Sequence, residues 1–302
     1  MDLAYAAAVR AALDRRAPVV ALESAVIAHG LPRPANLETA RALEREVRDV
    51  GAVPATVAVV DGLAVLGAND ALLTRLANED GVAKVSTADL APLLARGHAG
   101  GLGATTVAAT VEIAARGGIE VLATGGIGGA HRGAERTFDV SADLRAIARH
   151  PVCVVCAGAK LVLDLALTLE RLETLGVPVI GYGTDELPAF YVRSSGLSLR
   201  HRVDDALAAA RVAREQLTRG AGLVIAVPIP EAEALERETA EREVAVAIAA
   251  AERDGIAGAA LTPYLLRTLG QSTGGRSLRA NVALLRNNAR VAAAIAAELV
   301  RL

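Results

Sequence analysis

The chain has 302 residues, 53% of them hydrophobic and only 2% aromatic, with a formal net charge of −2. That balance excludes a protein drawn as a whole to nucleic acid or to an anionic membrane, and the lack of Trp removes the usual base-stacking platform. No apolar run reaches the roughly 20 residues of a membrane helix. Asp2 and the lack of a basic leader argue against a signal peptide, so a cytoplasmic location is expected.

The start reads as an amphipathic helix. Ala17–Glu23 (APVVALE) reads as a buried strand that ends on an acid, and Ser24–Pro34 as a loop carrying His29-Gly30. Asn36 is placed to cap a helix running to about Val50. Val53–Val60 and Leu63–Leu66 flank Asp61-Gly62, a hairpin signal that makes part of the sheet antiparallel. Asn69 is placed to cap the next helix. Val82–Val85 is a short strand carrying Lys84, and Ala88–Arg96 a helix. After the glycine-rich Gly97–Gly103, Ala104-Thr105-Thr106 opens a helix to about Arg116.

Ile119–Ala123 is a strand that ends in the glycine-rich Thr124–Gly129. His131, Arg132, Glu135, Asp139, Ser141 and Asp143 follow, with a helix over Ala142–Arg149. Val152–Cys156 is a second buried strand leading to Lys160. Cys153 and Cys156 sit at i and i+3 of that strand and so face opposite ways, which argues against a zinc or redox pair. A helix (Leu161–Leu175), a strand (Val177–Tyr182), a polar loop (Gly183–Leu199), a helix (Asp204–Arg219) and a strand (Gly222–Val227) come next. The last third reads as helices at Glu231–Arg253, Thr262–Leu269 and Ser277–Leu302. This alternation predicts one α/β domain over 1–302, an α/β/α layered fold with a central mixed, mostly parallel sheet.

Three features carry chemistry. Of 32 basic residues only Lys84 and Lys160 are lysine. Arginine stays charged, whereas a lysine that loses its proton on desolvation is an amine nucleophile; chance survival of two surface lysines is the alternative. Glu23 ends an apolar strand, where desolvation raises a carboxyl pKa and suits it to donate a proton; a strand-end acid in solvent is the alternative. Asp139 and Asp143 are hard oxygen donors suited to Mg²⁺ or Mn²⁺, with helix capping by Ser141 or Asp143 as the alternative. The run Thr124–Gly129 offers bare backbone N–H groups to an anion, a weak signal alone.

Together these segments are more specific. VALESAVIAHGLPRPANLETA, KVSTADL, GATTVAAT, TGGIGGAHRGAERTFDVSADL, VVCAGAKLVLDLALTLE and TGGRSLRANVALLRNNA resemble the pseudouridine-5′-phosphate glycosidase family, related to indigoidine synthase A, over nearly the whole chain. The resemblance implies reversible cleavage of the C–C glycosidic bond of pseudouridine 5′-phosphate to uracil and ribose 5-phosphate. It implies a lysine Schiff base, one Mn²⁺ per subunit and a homotrimer. By motif match the proton donor falls on Glu23, the covalent lysine on Lys160 and the metal carboxylate on Asp139. Substrate contacts fall on Lys84, Val107, Ser141, Ala142 and Asp143, with Thr124, His131 and Asn281 lining the pocket. Ala25, Thr87, Ala88 and Val227 depart from the usual pattern, which leaves substrate identity less fixed than reaction class. A Schiff-base lyase or aldolase acting on another phosphosugar, and a phosphosugar-binding protein without turnover, are the rival readings.

Overall fold

A computed structural model describes residues 1–256 and 261–302. Eleven strands among these residues form the sheet: β1 Leu3–Tyr5, β2 Val19–Leu22, β3 Val53–Val60, β4 Leu63–Leu66, β5 Ala83–Val85, β6 Leu102–Thr105, β7 Val121–Ala123, β8 Cys153–Cys156, β9 Val179–Tyr182, β10 His201–Val203 and β11 Leu223–Ala226. They run in the order β1-β4-β3-β2-β7-β8-β11-β9-β10, with β6 added to β3 and β5 to β6. The β3–β4 and β3–β6 pairs are antiparallel. The remaining pairs are parallel, so the sheet is mixed and mostly parallel as expected.

β2, β7, β8 and β11 are buried at every position and show no alternation of polar and apolar residues. Such strands need cover on both faces. The long helix Arg276–Leu299 packs on β2, β7 and β8 from one side, flanked by Ala35–Asp49 and Ala206–Thr218. The helix Val107–Arg116 packs on β2, β3, β6 and β7, with Ala142–Arg149 beside it. Glu46 fastens the first layer together: its carboxylate takes hydrogen bonds from Arg286 and Arg290 of the long helix, at 2.8 and 2.8 Å.

The Asp61-Gly62 hairpin forms as read, with Val60 opposite Leu63 and both turn residues at positive φ. Asn69 caps its helix by accepting from the Leu72 N–H at 2.9 Å. Three readings change. The N-terminal segment is not helical from its start, because Leu3–Tyr5 pairs with Leu63–Leu66 before the helix Ala7–Asp14 begins. Leu102–Thr105, read partly as loop and partly as helix, is a strand on β3; pairing across 40-odd residues overrides the local glycine signal. Asn36 lies inside the helix Ala35–Asp49 rather than at its cap. It is buried, and its amide donates to the carbonyls of Ile27 and Ala77, both at 2.9 Å. Among the described residues no helix is long and apolar enough to cross a membrane.

Candidate active site

Parallel strands in register end together. Leu22 of β2 is opposite Ala123 of β7, and Ala123 is opposite Val155 of β8. The residues that follow these strands therefore meet at one edge of the sheet, the usual place for an α/β site. Glu23 follows β2, Thr124 follows β7, and Ala157–Lys160 follow β8. The Thr124 hydroxyl donates to Glu23 Oε1 at 2.6 Å. Gly158 makes the turn toward Lys160: its φ is +76°, and a Cβ there would lie 2.0 Å from the Pro188 carbonyl oxygen.

Glu23, Lys84, Lys160 and Asn281 line one small chamber with Ala25, Val26, His29, Gly30, Gly125, Gly126, Phe190 and Leu285. The chamber encloses about 60 Å³. It adjoins a cavity of about 430 Å³ through the shared residues His29, Gly30 and Asn281, and Tyr191, Arg267 and Gln271 stand on that outer side. The two lysines singled out by composition thus share one chamber.

Burial raises the Glu23 pKa above the ordinary carboxylate range, against the opposing pull of Lys160 and the Thr124 hydrogen bond. Desolvation and then the Lys160 charge lower that of Lys84. Lys84 remains exposed over the side chain as a whole, so solvent tempers the push from its like-charged neighbour. The strand before Lys160 holds both cysteines, buried and unbridged. Burial raises both thiols, Cys156 to about 12, which keeps them protonated and inert.

The acidic segment divides. Asp143 is buried, and its two carboxylate oxygens accept from the backbone N–H groups of Ala108 at 2.8 Å and Gly128 at 2.7 Å. It joins the start of the helix Val107–Arg116 to the glycine-rich turn. Ser141 caps the helix Ala142–Arg149, accepting from the Asp143 N–H at 3.2 Å. Val107 is buried at the first turn of its helix, whereas Ala142 is exposed. Glycine at 128 is a packing requirement, since a Cβ would sit 2.3 Å from Ser141 Oγ. Ile127 and Gly128 spend their N–H groups on Gly158 O and Asp143, so neither is open to an anion.

Asp139 is exposed and does not line the inner chamber. Its carbonyl accepts from the half-buried His131 N–H at 3.0 Å. Among the described residues no group of three or more His, Cys, Asp or Glu is gathered to enclose a cation. One hard carboxylate open to solvent fits only a divalent ion that keeps most of its own water.

Sequence reasoning missed the supports. Ser24, next to Glu23, is fully buried; its hydroxyl donates to Val57 O at 2.6 Å and accepts from the Thr105 N–H at 2.9 Å. Asn288, also fully buried, donates to Thr124 O at 2.8 Å from the long helix. The signal available was a second asparagine two helical turns after Asn281, on a face that is mostly apolar. The departures lie close by: Ala25 lines the inner chamber, Thr87 and Ala88 open the helix after Lys84, and the buried Val227 donates its N–H to Cys156 O at 2.8 Å.

A family model described as indigoidine synthase A like protein matches residues 8–298. The pseudouridine-5′-phosphate glycosidase of Myxococcus xanthus is 51% identical, covering 100% of this chain and 99% of its own. That of Caldanaerobacter subterraneus subsp. tengcongensis is 52% identical, covering 97% and 95%. Among solved structures, the prealnumycin C-glycosynthase AlnA, in complex with ribulose 5-phosphate, superposes with a TM-score of 0.91 at 42% identity, covering 100% of this chain and 98% of that one. An indigoidine synthase A-like protein from Thermotoga maritima gives 0.88 at 32% identity, covering 100% and 97%.

Two outcomes are expected. Asp143→Ala leaves two backbone N–H groups without their acceptor, and should lower stability by about 2–4 kcal/mol in urea unfolding. Glu23→Gln keeps an acceptor for Thr124 but cannot ionise. Because folding raises the Glu23 pKa, the wild type loses stability as pH rises from the ordinary carboxylate range through the raised folded value. The Tm advantage of Glu23→Gln should therefore grow as pH rises above the ordinary carboxylate range in thermal melts.

Proposed function

Since the chain belongs to the indigoidine synthase A like family, we propose that it reversibly cleaves the C–C glycosidic bond of pseudouridine 5′-phosphate to uracil and ribose 5-phosphate. The observation that carries this reading is the enclosure of Glu23 and Lys160 in one chamber, the acid with its pKa raised. A C-glycoside has no heteroatom link to protonate, so acid catalysis at the link itself cannot break it. An acid beside a primary amine offers another route.

Glu23 gives its proton to the ring oxygen as the Lys160 amine attacks C1′, and the C1′–O4′ bond opens. The new C–N bond leaves nitrogen with a proton to lose, which returns to the Glu23 carboxylate. The nitrogen lone pair then forms a C=N bond to C1′. The C1′–C5 bonding pair stays with C5 of the base, which takes up the proton from Glu23. Uracil departs, and an iminium on Lys160 remains for water to hydrolyse. The Thr124 hydroxyl holds the Glu23 carboxyl in place throughout. Lys84 is assigned to the 5′-phosphate as a point charge. Asp139 is assigned to the divalent cation, Mn²⁺ in our reading, which when bound supplies positive charge for the carbonyl oxygens of the departing base.

A second reading follows from the likeness to prealnumycin C-glycosynthase AlnA. The same iminium chemistry, run between a pentose phosphate and a different carbon nucleophile, makes a C-glycoside. Ala25 on the chamber wall is a place where the aglycone pocket differs from the family pattern. Release of uracil from pseudouridine 5′-phosphate, followed by absorbance with and without Mn²⁺, separates the two readings.

Lys160→Ala should abolish cleavage, a loss of at least about 10³-fold, and Lys160→Arg should fail equally because guanidinium offers no neutral amine. Borohydride added with ribose 5-phosphate should fix a covalent adduct on the wild type and on neither variant, as read by intact-protein mass. An active wild-type enzyme that is never trapped would exclude the iminium route.

A further inference from the structure

The outer cavity holds polar side chains that the steps above leave unused. Tyr191, Gln271 and Asn281 border it, and none of their side chains hydrogen-bonds to another described residue. Tyr191 and Asn281 are nonetheless buried. Among the described residues, the polar atoms that are both sealed from solvent and unpartnered lie on His29, Arg214 and Asn288. The Tyr191 hydroxyl and the Asn281 amide are therefore open, and what they border is the cavity. Polar groups on buried residues are normally paired, and unpaired ones facing a cavity are relieved by a ligand that pairs them. Arg267 adds a charge: no acid borders the cavity, and among the described residues its guanidinium is in no ion pair and only leans on the Tyr264 ring, 5.7 Å from its centre. Leu31, Pro32 and Leu278 make the rest of the wall apolar.

We propose that the outer cavity is a subsite for a substituent on the base, and that it favours one ending in a carboxylate; this rests on the cleavage reading above and narrows which C-nucleotides the chain takes. The inner chamber encloses about 60 Å³. Pockets that enclose small ligands run to about 300–1,000 Å³, so the nucleotide continues into the outer cavity of about 430 Å³, past His29, Gly30 and Asn281. With the 5′-phosphate held by Lys84 at the inner end, the base projects outward. A phosphate dianion suits the outer end less well, because an apolar wall with one cation leaves half its charge unpaired. Uracil is a single ring, and its edge remote from C5 faces the cavity with Arg267 and Gln271 beyond it. A carboxymethyl group on N3 extends from that edge. Its methylene lies along the apolar wall, and its carboxylate takes donors from the Arg267 guanidinium, the Gln271 amide and the Tyr191 hydroxyl. The cavity then holds one positive and one negative charge, and its open donors are paired.

The test compares release of the free base from pseudouridine 5′-phosphate and from its N3-carboxymethyl and N3-carbamoylmethyl derivatives, which match in size and differ in charge. On the wild type the carboxymethyl derivative should keep a kcat/KM within about threefold of the parent and about tenfold above the carbamoylmethyl one, the size of one charge-assisted hydrogen bond at a partly exposed site. Arg267→Gln should bring the two derivatives level and leave the parent unchanged. Gly270 supplies a steric arm: it borders the cavity on the helix Leu261–Ser272, and a Cβ there meets nothing within 4 Å. Gly270→Phe should lower both derivatives about tenfold or more and leave the parent within about threefold. Should Gly270→Phe fail to fold by circular dichroism, Gly270→Leu takes its place. A wild type that cleaves the parent but neither derivative, or both derivatives equally, overturns the inference. So does either variant that slows the parent as much as the derivatives, which would put the phosphate end in the outer cavity. A wild type that releases no uracil from the parent overturns the cleavage reading itself, and only that arm reveals it.

Discussion

The hydrogen bond from Thr124 to Glu23 spans 101 positions of sequence and exists because β2 and β7 lie parallel and in register. The rest of the site depends on that alignment. Shift β7 by one residue along β2 and Thr124 turns to the other face of the sheet, since side chains alternate along a strand. The acid would then lose its orienting hydroxyl. β8 continues the same register, so the turn at Gly158 brings Lys160 to the edge where the acid already stands. Acid and amine come from loops, but the spacing of three buried strands decides where those loops begin.

Burial at this edge has two effects on charge. It favours the protonated form of Glu23 and the deprotonated form of Lys84, each the less charged state. A pocket open to water would let both groups titrate nearer their ordinary ranges. The buried Asp143 answers a different need: both its oxygens are occupied by backbone N–H groups, so it acts as a cross-link between the glycine-rich turn and the helix Val107–Arg116. Two acids from one short segment thus serve different ends. Asp139 is exposed on the loop, whereas Asp143 is folded inward and spent on the backbone.

Much of this was legible in the amino-acid sequence where the signal was local or compositional. Asp61-Gly62 sets a hairpin through its own backbone preferences, and Asn69 caps the helix that starts beside it. Lys84 and Lys160 stood out because the chain is otherwise arginine, and they do share a chamber. What local reading could not supply depends on distant partners. Leu3–Tyr5 is a strand only because Leu63–Leu66 offers an edge. Asn36 looked like a cap, yet its amide is drawn to Ile27 and Ala77. Likewise, nothing near Asn288 hints that it reaches Thr124, 164 positions away, and His29 read simply as part of a loop.

The helix Arg276–Leu299 contributes Asn281 and Leu285 to the chamber wall and ties Asn288 to the turn after β7. During synthesis the earlier strands emerge first and can begin to fold, as chains generally do from the N-terminus. Glu23, Lys84 and Lys160 are all synthesised long before that helix, so a half-made chain carries both lysines beside an unfinished wall. Until that helix has been made and has docked, the chamber lacks Asn281 and Leu285, so a partial chain holds these groups more open to solvent than the finished fold does.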